Sequence, residues 1–170
     1  MLEILRTSEA DRDTLVALYR AAFADEDLVP LLHRLLDAGD SVVSLTAEIG
    51  SAPVGHIAFT QCSVGGVAAW LLAPLAVAPS HQRKGLGTSL MREGFERARE
   101  AGVARVLVLG DPGYYRRAGF SREDGITPPY ELPAEWDGAW QSMAINGKAI
   151  ELAGPLVVPK LWQDKKLWLP

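Results

Sequence analysis

Residues 75–88 read Leu-Ala-Val-Ala-Pro-Ser-His-Gln-Arg-Lys-Gly-Leu-Gly-Thr. The apolar residues Leu71, Leu72, Leu75 and Val77 lead up to Ala78-Pro79, where a strand ends. A basic, glycine-containing loop follows, and an amphipathic helix starts directly after it. Leu86, Leu90, Met91, Phe95 and Ala98 share one face at helical spacing, while Arg92, Glu93, Glu96, Arg97 and Arg99 fill the other. The first-turn N–H groups of a helix have no internal partners, and its dipole favours an anion there. This helix begins with glycines rather than a Ser or Asp cap, and its first acid is Glu93. Its N-terminal end is therefore electropositive, and Gly85 and Gly87 let a ligand approach the backbone. Such a turn fits a bound phosphate or an empty connection equally well on its own pattern. It is not a Walker loop, because Lys84 precedes the glycine, and the spacing of Gly85 and Gly87 does not complete a dinucleotide fingerprint.

Working outward, residues 1–6 alternate as a short strand, and Ser8 with Asp11 forms an imperfect capping box. Leu15, Leu18, Tyr19, Ala22 and Phe23 give the first helix its apolar face. Asp25-Glu26-Asp27 breaks the chain before a second helix carrying Leu28, Leu31, Leu32, Leu35 and Leu36, which Gly39 stops. From Ser41 the period changes to two: Val43, Leu45, Ala47 and Ile49 alternate with Ser44, Thr46 and Glu48. Strands over 54–63 and 67–77 follow, joined at Gly65-Gly66. Pro74 lacks an N–H, so pairing is expected to be disturbed there. Residues 105–109 form a near-continuous apolar run, as in a strand buried on both faces, and the helical connection before it implies a parallel pair. A short helix is predicted over 114–118, strands over 141–145 and near 150–152, and an irregular tail rich in proline and tryptophan.

Composition sets the bounds. With 170 residues, one domain is expected, 121–170 being a C-terminal extension packed on it. The formal net charge is −4, so nothing attracts nucleic acid or an anionic membrane globally; Arg83 and Lys84 form a local basic spot suited to a small anion. Cys62 is the only cysteine, which excludes an internal disulfide and a cysteine-based metal cluster, and His33, His56 and His81 lack ligand spacing. No metal site is expected. The N-terminus is charged from Glu3 onward and no apolar run approaches spanning length, so a cytoplasmic location is expected.

The segment around Gln82, Gly85 and Gly87, preceded by the triplet Leu75-Ala76-Val77, resembles motif A of the GNAT superfamily, the acyl-CoA-dependent N-acetyltransferases. Downstream, Tyr115-Arg116-Arg117-Ala118-Gly119-Phe120 resembles that family's Tyr-x-x-x-Gly-Phe. The two motifs lie in the right order over roughly the first two-thirds of the chain, and residues 109–115 look most like a little-characterised bacterial branch. The resemblance implies an α/β (α+β) fold with a mixed, mostly antiparallel central sheet flanked by helices. It implies a bulged strand over 67–77 that splays from its parallel neighbour, acetyl-CoA as acyl donor, and direct transfer to a primary amine of a small molecule or peptide.

Acetyl transfer from a thioester needs an uncharged amine, a donor to the carbonyl oxygen and a proton for the leaving thiolate. The resemblance places the backbone of Leu75, Ala76 and Val77 at the acetyl and pantetheine. It places the amides of Gln82, Arg83, Lys84, Gly85, Leu86 and Gly87, with Thr88, at the pyrophosphate. Arg83 and Lys84 either add charge to that grip or form a solvated pair; Thr88 either contacts phosphate or is a plain first-turn residue. Tyr115 takes the position of the general acid, its phenol being protonated at neutral pH. Tyr114 is read as core. Asp111 contacts the pantetheine or forms an Asp-Pro turn. The strand over 67–77 holds no acid or histidine, so the base is not identified: Glu48 and His56 are candidates whose surface or packing roles weigh more. Cys62 reads as a packing cysteine. A catalytically silent acyl-CoA sensor and a general phosphate-ligand domain are the rival readings. The Trp/Pro-rich tail closes over the acceptor, covers an apolar surface or forms a homodimer contact.

Overall fold

The computed structural model describes residues 1–146 and 151–169. In chain order the elements are β1 (Leu2–Arg6), α1 (Arg12–Ala22), α2 (Val29–Leu36), β2 (Val42–Ile49), β3 (Ala52–Val64), β4 (Val67–Val77), α3 (Leu86–Glu100), β5 (Arg105–Leu109), α4 (Pro112–Tyr115), β6 (Ser121–Arg122), β7 (Ile126–Thr127), β8 (Trp140–Ala144) and β9 (Gly154–Pro155). Seven strands form a mixed, mostly antiparallel sheet in the order β1-β2-β3-β4-β5-β8-β6, and β7 and β9 pair separately. This is the α/β architecture expected from the sequence. No helix of the described residues is long and apolar enough to cross a membrane.

The chain divides into two compact units, Met1–Phe59 with Ala73–Glu96, and Thr60–Leu72 with Arg97–Pro170. In the first, β1 pairs antiparallel with β2 from Leu2↔Ile49 to Arg6↔Leu45. The predicted cap at Ser8 forms: the Asp11 carboxylate accepts from the Ser8 N–H at 2.8 Å and from its hydroxyl at 3.2 Å. Leu15, Leu18 and Tyr19 of α1 bury against Leu32 of α2 and Ala76 of β4. Helix α3 lies close on β3. A Cβ on Gly94 would enter the Phe59 ring, and one on Gly55 would meet Leu90 at 3.0 Å. Glycine at both positions sets the helix–strand spacing.

The β3–β4 hairpin turns at Gly65 and Gly66, both with positive φ (55° and 80°), as a two-residue turn of the right-handed strand twist requires. At the other end Ala78 N–H donates to the Val54 carbonyl at 2.8 Å. Between these points β4 uses one residue more than β3, the mark of a bulge. Pro74 lies within this stretch, buried, after a cis Ala73-Pro74 bond.

In the second unit β4 pairs in parallel with β5 from Ala69↔Arg105 to Leu72↔Val108, so this register ends ahead of Pro74, where disturbed pairing is expected. Strand β8 covers the other edge of β5, from Arg105↔Ala144 to Leu109↔Trp140. It matches the strand expected over 141–145, shifted by one residue, and makes the C-terminal segment part of the sheet. Trp140, Trp162 and Trp168 are buried together, Trp168 standing edge-on to both at 5.8 and 5.9 Å. Each indole N–H is bonded: to the Ile126 carbonyl, Thr60 Oγ1 and the Trp162 carbonyl. Of the strand expected near 150–152, Ile150 lies outside the described residues and Glu151 and Leu152 are irregular; the nearby strand is Gly154–Pro155.

Candidate active site

The first unit holds the loop that opens α3. Gln82, Arg83, Lys84, Gly85 and Thr88 are exposed, whereas Leu86 and Gly87 are buried. Gln82 Nε2 donates to the Val77 carbonyl at 3.0 Å, tying the loop to the end of β4. Arg83 and Gly85 both lie in the left-handed region, at φ 61° and 84°. For Arg83 that conformation is costly, by about 1 kcal/mol, the kind of local strain that concentrates at ligand clamps. A Cβ on Gly85 would meet nothing within 4 Å, so the space beside its backbone is open.

The first intrahelical bond runs from Ser89 N–H to the Gly85 carbonyl at 3.0 Å. The N–H groups of Leu86, Gly87 and Thr88 therefore have no acceptor inside the helix, and the first turn holds no acid. Open backbone, unpaired amides and the positive end of a fifteen-residue helix dipole meet at one place. Such a helix start suits a small anion. Leu75 and Val77 at the end of β4 are half-buried and Ala76 is buried.

The second unit holds the other motif. Tyr115 ends α4, with its ring edge-on to Tyr114 at 5.0 Å and to Phe120 at 5.6 Å. Gly119, at φ 105°, closes the following 3-10 turn where a Cβ would press on Met143 Sδ at 2.9 Å, which explains glycine within Tyr-x-x-x-Gly-Phe. Burial, then the neighbouring Tyr114 and Asp111, push the Tyr115 phenol above its usual range, so it remains protonated at neutral pH. Tyr114, read as core from the sequence, is instead 38% exposed, because α4 turns it outward beside Tyr115. Asp111 caps α4, its Oδ1 accepting from Gly113 N–H at 2.9 Å.

Two candidate groups resolve clearly. His56 is fully buried, and both its nitrogens are engaged: Tyr19 Oη lies 2.6 Å from Nδ1 and Ser44 Oγ 2.7 Å from Nε2. Ser44 passes its own proton to Thr7 Oγ1 at 2.8 Å, so Nε2–H donates to Ser44 and Nδ1 accepts from Tyr19. Burial lowers the His56 pKa to about 3. This imidazole is a neutral structural link. Burial likewise pushes the Cys62 thiol up to about 12, in keeping with a packing role. The Tyr19–His56–Ser44–Thr7 chain is invisible to local sequence patterns, since its members lie on α1, β3, β2 and the loop after β1.

A cleft of about 510 Å³ lies between α1 and α2, with Tyr19, Phe23, Glu26, Asp27 and His33 among its lining residues. Among the described residues, no group of three or more His, Cys, Asp or Glu is placed to hold a metal ion.

Residues 9–120 match the model of the acetyltransferase (GNAT) family. Over 157 residues the chain is 32% identical to the N-acetyltransferase YjhQ of Escherichia coli K12, with 87% of each protein covered. Among solved structures it resembles a GNAT family acetyltransferase from Brucella melitensis in complex with acetyl-CoA, with TM-score 0.74 and 28% identity over 95% of this chain and 97% of that one. It also resembles YhbS from Escherichia coli in complex with CoA, with TM-score 0.79 and 27% identity over 94% and 91%.

Proposed function

The chain belongs to the acetyltransferase (GNAT) family, and from that premise we propose that it transfers acetyl from acetyl-CoA directly to a primary amine. The observation that carries this reading is the opening of α3, where the unpaired N–H groups of Leu86, Gly87 and Thr88 stand beside open backbone at Gly85. The amides over 82–87, with Thr88, receive the diphosphate, while Arg83 and Lys84 add positive charge at its rim. The backbone of Leu75, Ala76 and Val77 lines the acetyl and pantetheine, a strand N–H donating to the thioester oxygen as negative charge develops. Acetyl-CoA supplies the activated acyl group. Tyr115, kept protonated by burial, gives its phenolic proton to the departing thiolate.

The acceptor is proposed to enter the cleft between α1 and α2. Glu26 and Asp27, against the single positive charge of Arg20, favour a cationic amine there, and Tyr19 and Phe23 offer apolar walls. Strand β4 supplies neither carboxylate nor imidazole, and His56 has no free nitrogen. Deprotonation is left to water or to an amine that arrives neutral. The same lack of a base supports a second reading, an acyl-CoA-binding module without turnover. Rapid mixing of acetyl-CoA with polyamines, aminoglycosides and peptide N-termini, followed by thiol detection, separates the two. Amine-dependent thiol release supports transfer; tight CoA binding with no release for any amine supports the silent module.

A further inference from the structure

Gly110, between the end of β5 and the start of α4, has no conformational need to be glycine, because its φ lies outside the left-handed region. Its need is steric. A Cβ built there would stand 2.5 Å from Cε2, 3.1 Å from Cδ2 and 3.5 Å from Cζ of Tyr115, well inside van der Waals contact. The phenol ring lies in the notch left by the missing side chain.

The backbone at that notch is tethered on both sides. Gly110 N–H donates to the Ala139 carbonyl at 3.0 Å, and Gln141 Nε2 donates to the Gly110 carbonyl at 3.2 Å. Gln141 is itself buried, and its Nε2 also reaches the Ala139 carbonyl at 3.4 Å. On the other side the ring is walled by Tyr114 and Phe120. The main chain of Tyr115 is held by its N–H to the Asp111 carbonyl at 3.1 Å and by Phe120 N–H donating to its own carbonyl at 3.2 Å. Any atom added to residue 110 therefore moves the ring, which turns about its side-chain torsions, before it moves either backbone.

We infer that Gly110 is a positioning residue for the reaction, its bare Cα seating the Tyr115 ring so that the phenol points where the leaving sulfur needs a proton. This rests on the reading of Tyr115 as the proton donor given above. Misplacing a reacting group by about 1 Å is enough to cost up to about a hundredfold in rate. The amides proposed to hold the donor belong to a different stretch of chain, residues 82–88, so donor affinity is expected to be unaffected.

The test compares Gly110→Ala, Tyr115→Phe and the double variant, using acetyl-CoA and the amine of highest turnover, together with a crystal structure of Gly110→Ala. The expected result is a kcat at least tenfold lower for Gly110→Ala, a KM for acetyl-CoA within about twofold of the parent and an unchanged melting temperature. No further loss is expected when Gly110→Ala is added to Tyr115→Phe, and the crystal structure shows the ring displaced over an unmoved backbone. A Tyr115 ring found in its original place overturns the inference whatever the kinetics. Loss of kcat in Tyr115→Phe but not in Gly110→Ala overturns it and leaves the proton-donor role standing. Full kcat in Tyr115→Phe overturns both. Should Gly110→Ala not fold, Gln141→Met, which releases the Gly110 carbonyl without filling the notch, is expected to lower kcat with KM preserved; unchanged kcat in that variant overturns the inference.

Discussion

The Tyr19 hydroxyl donates to Nδ1 of His56 across 2.6 Å, joining the inner face of α1 to β3 through an imidazole that has no exposed surface. Ser44 and Thr7 extend the link to β2 and to the residue after β1, and Thr46 Oγ1 closes on Thr7 at 2.8 Å. The chain is fully satisfied, which is the condition for a buried polar network to stabilise a fold.

That link makes stability depend on pH. His56 has a folded pKa of about 3 against an ordinary value of 6.5, so between these limits the unfolded chain binds a proton that the folded chain refuses. Its contribution is complete above pH 6.5 and is lost as pH falls toward 3, by about 5 kcal/mol at most. Urea midpoints at pH 7, 5 and 4 should fall steadily, and His56→Gln should flatten the dependence while lowering the value at pH 7. An equal slope in parent and variant would show that other groups govern acid unfolding.

Gly85 combines positive φ with open space. Gly85→Ala is expected to cost about 1 kcal/mol of stability from its left-handed backbone. It should also weaken acetyl-CoA binding at least tenfold, because the new methyl enters the space proposed for the diphosphate. Calorimetric titration measures the second effect, and an unchanged Kd would place the ligand elsewhere.

The contact of α3 with β3 admits no side chain at Gly94. Gly94→Ala is expected to destabilise the fold by about 1–3 kcal/mol through overpacking against Phe59, despite alanine's higher helix propensity. Phe59→Leu in the same chain should recover part of the loss. Denaturant melts of the three variants decide it; a more stable Gly94→Ala would mean that the helix slides without cost.

Glu26 and Asp27 line the α1–α2 cleft. Glu26→Gln with Asp27→Asn is expected to raise KM several-fold for a polycationic amine, with little change for a neutral-bodied monoamine, and the effect should shrink as salt screens the charges. Acetyl-CoA affinity should not move. Equal KM values for both amines at low salt would remove the cleft from acceptor recognition.

Much of the first two-thirds of this chain is readable because its signals are local. Period-two alternation marks β2. The near-continuous apolar run at 105–109 marks β5, and the Gly65-Gly66 pair places the hairpin turn. The α3 loop is legible for the same reason: the role proposed for it rests on backbone amides whose exposure follows from glycines and a missing cap. What escapes is set by tertiary neighbours. Ser44 and Thr46 occupy the polar half of an alternating strand, yet they face a buried network formed with Tyr19, His56 and Thr7. Gly110 looks like part of a Gly-Asp-Pro turn, and only the ring beside it shows why a side chain is excluded. The two-residue strands β6, β7 and β9 are too short for any period to register. Tyr114 and Tyr115 are adjacent and alike, so only the turn of α4 shows which of them is outward.

The most direct measurement is a crystal structure of this protein with acetyl-CoA. The diphosphate oxygens should lie about 3 Å from the backbone nitrogens at the start of α3, Leu86 and Gly87 among them, with the thioester beside the backbone of Leu75 and Val77. A ligand bound elsewhere, with those amides facing only solvent or side chains, would contradict the proposed mode of binding and the transfer chemistry built on it.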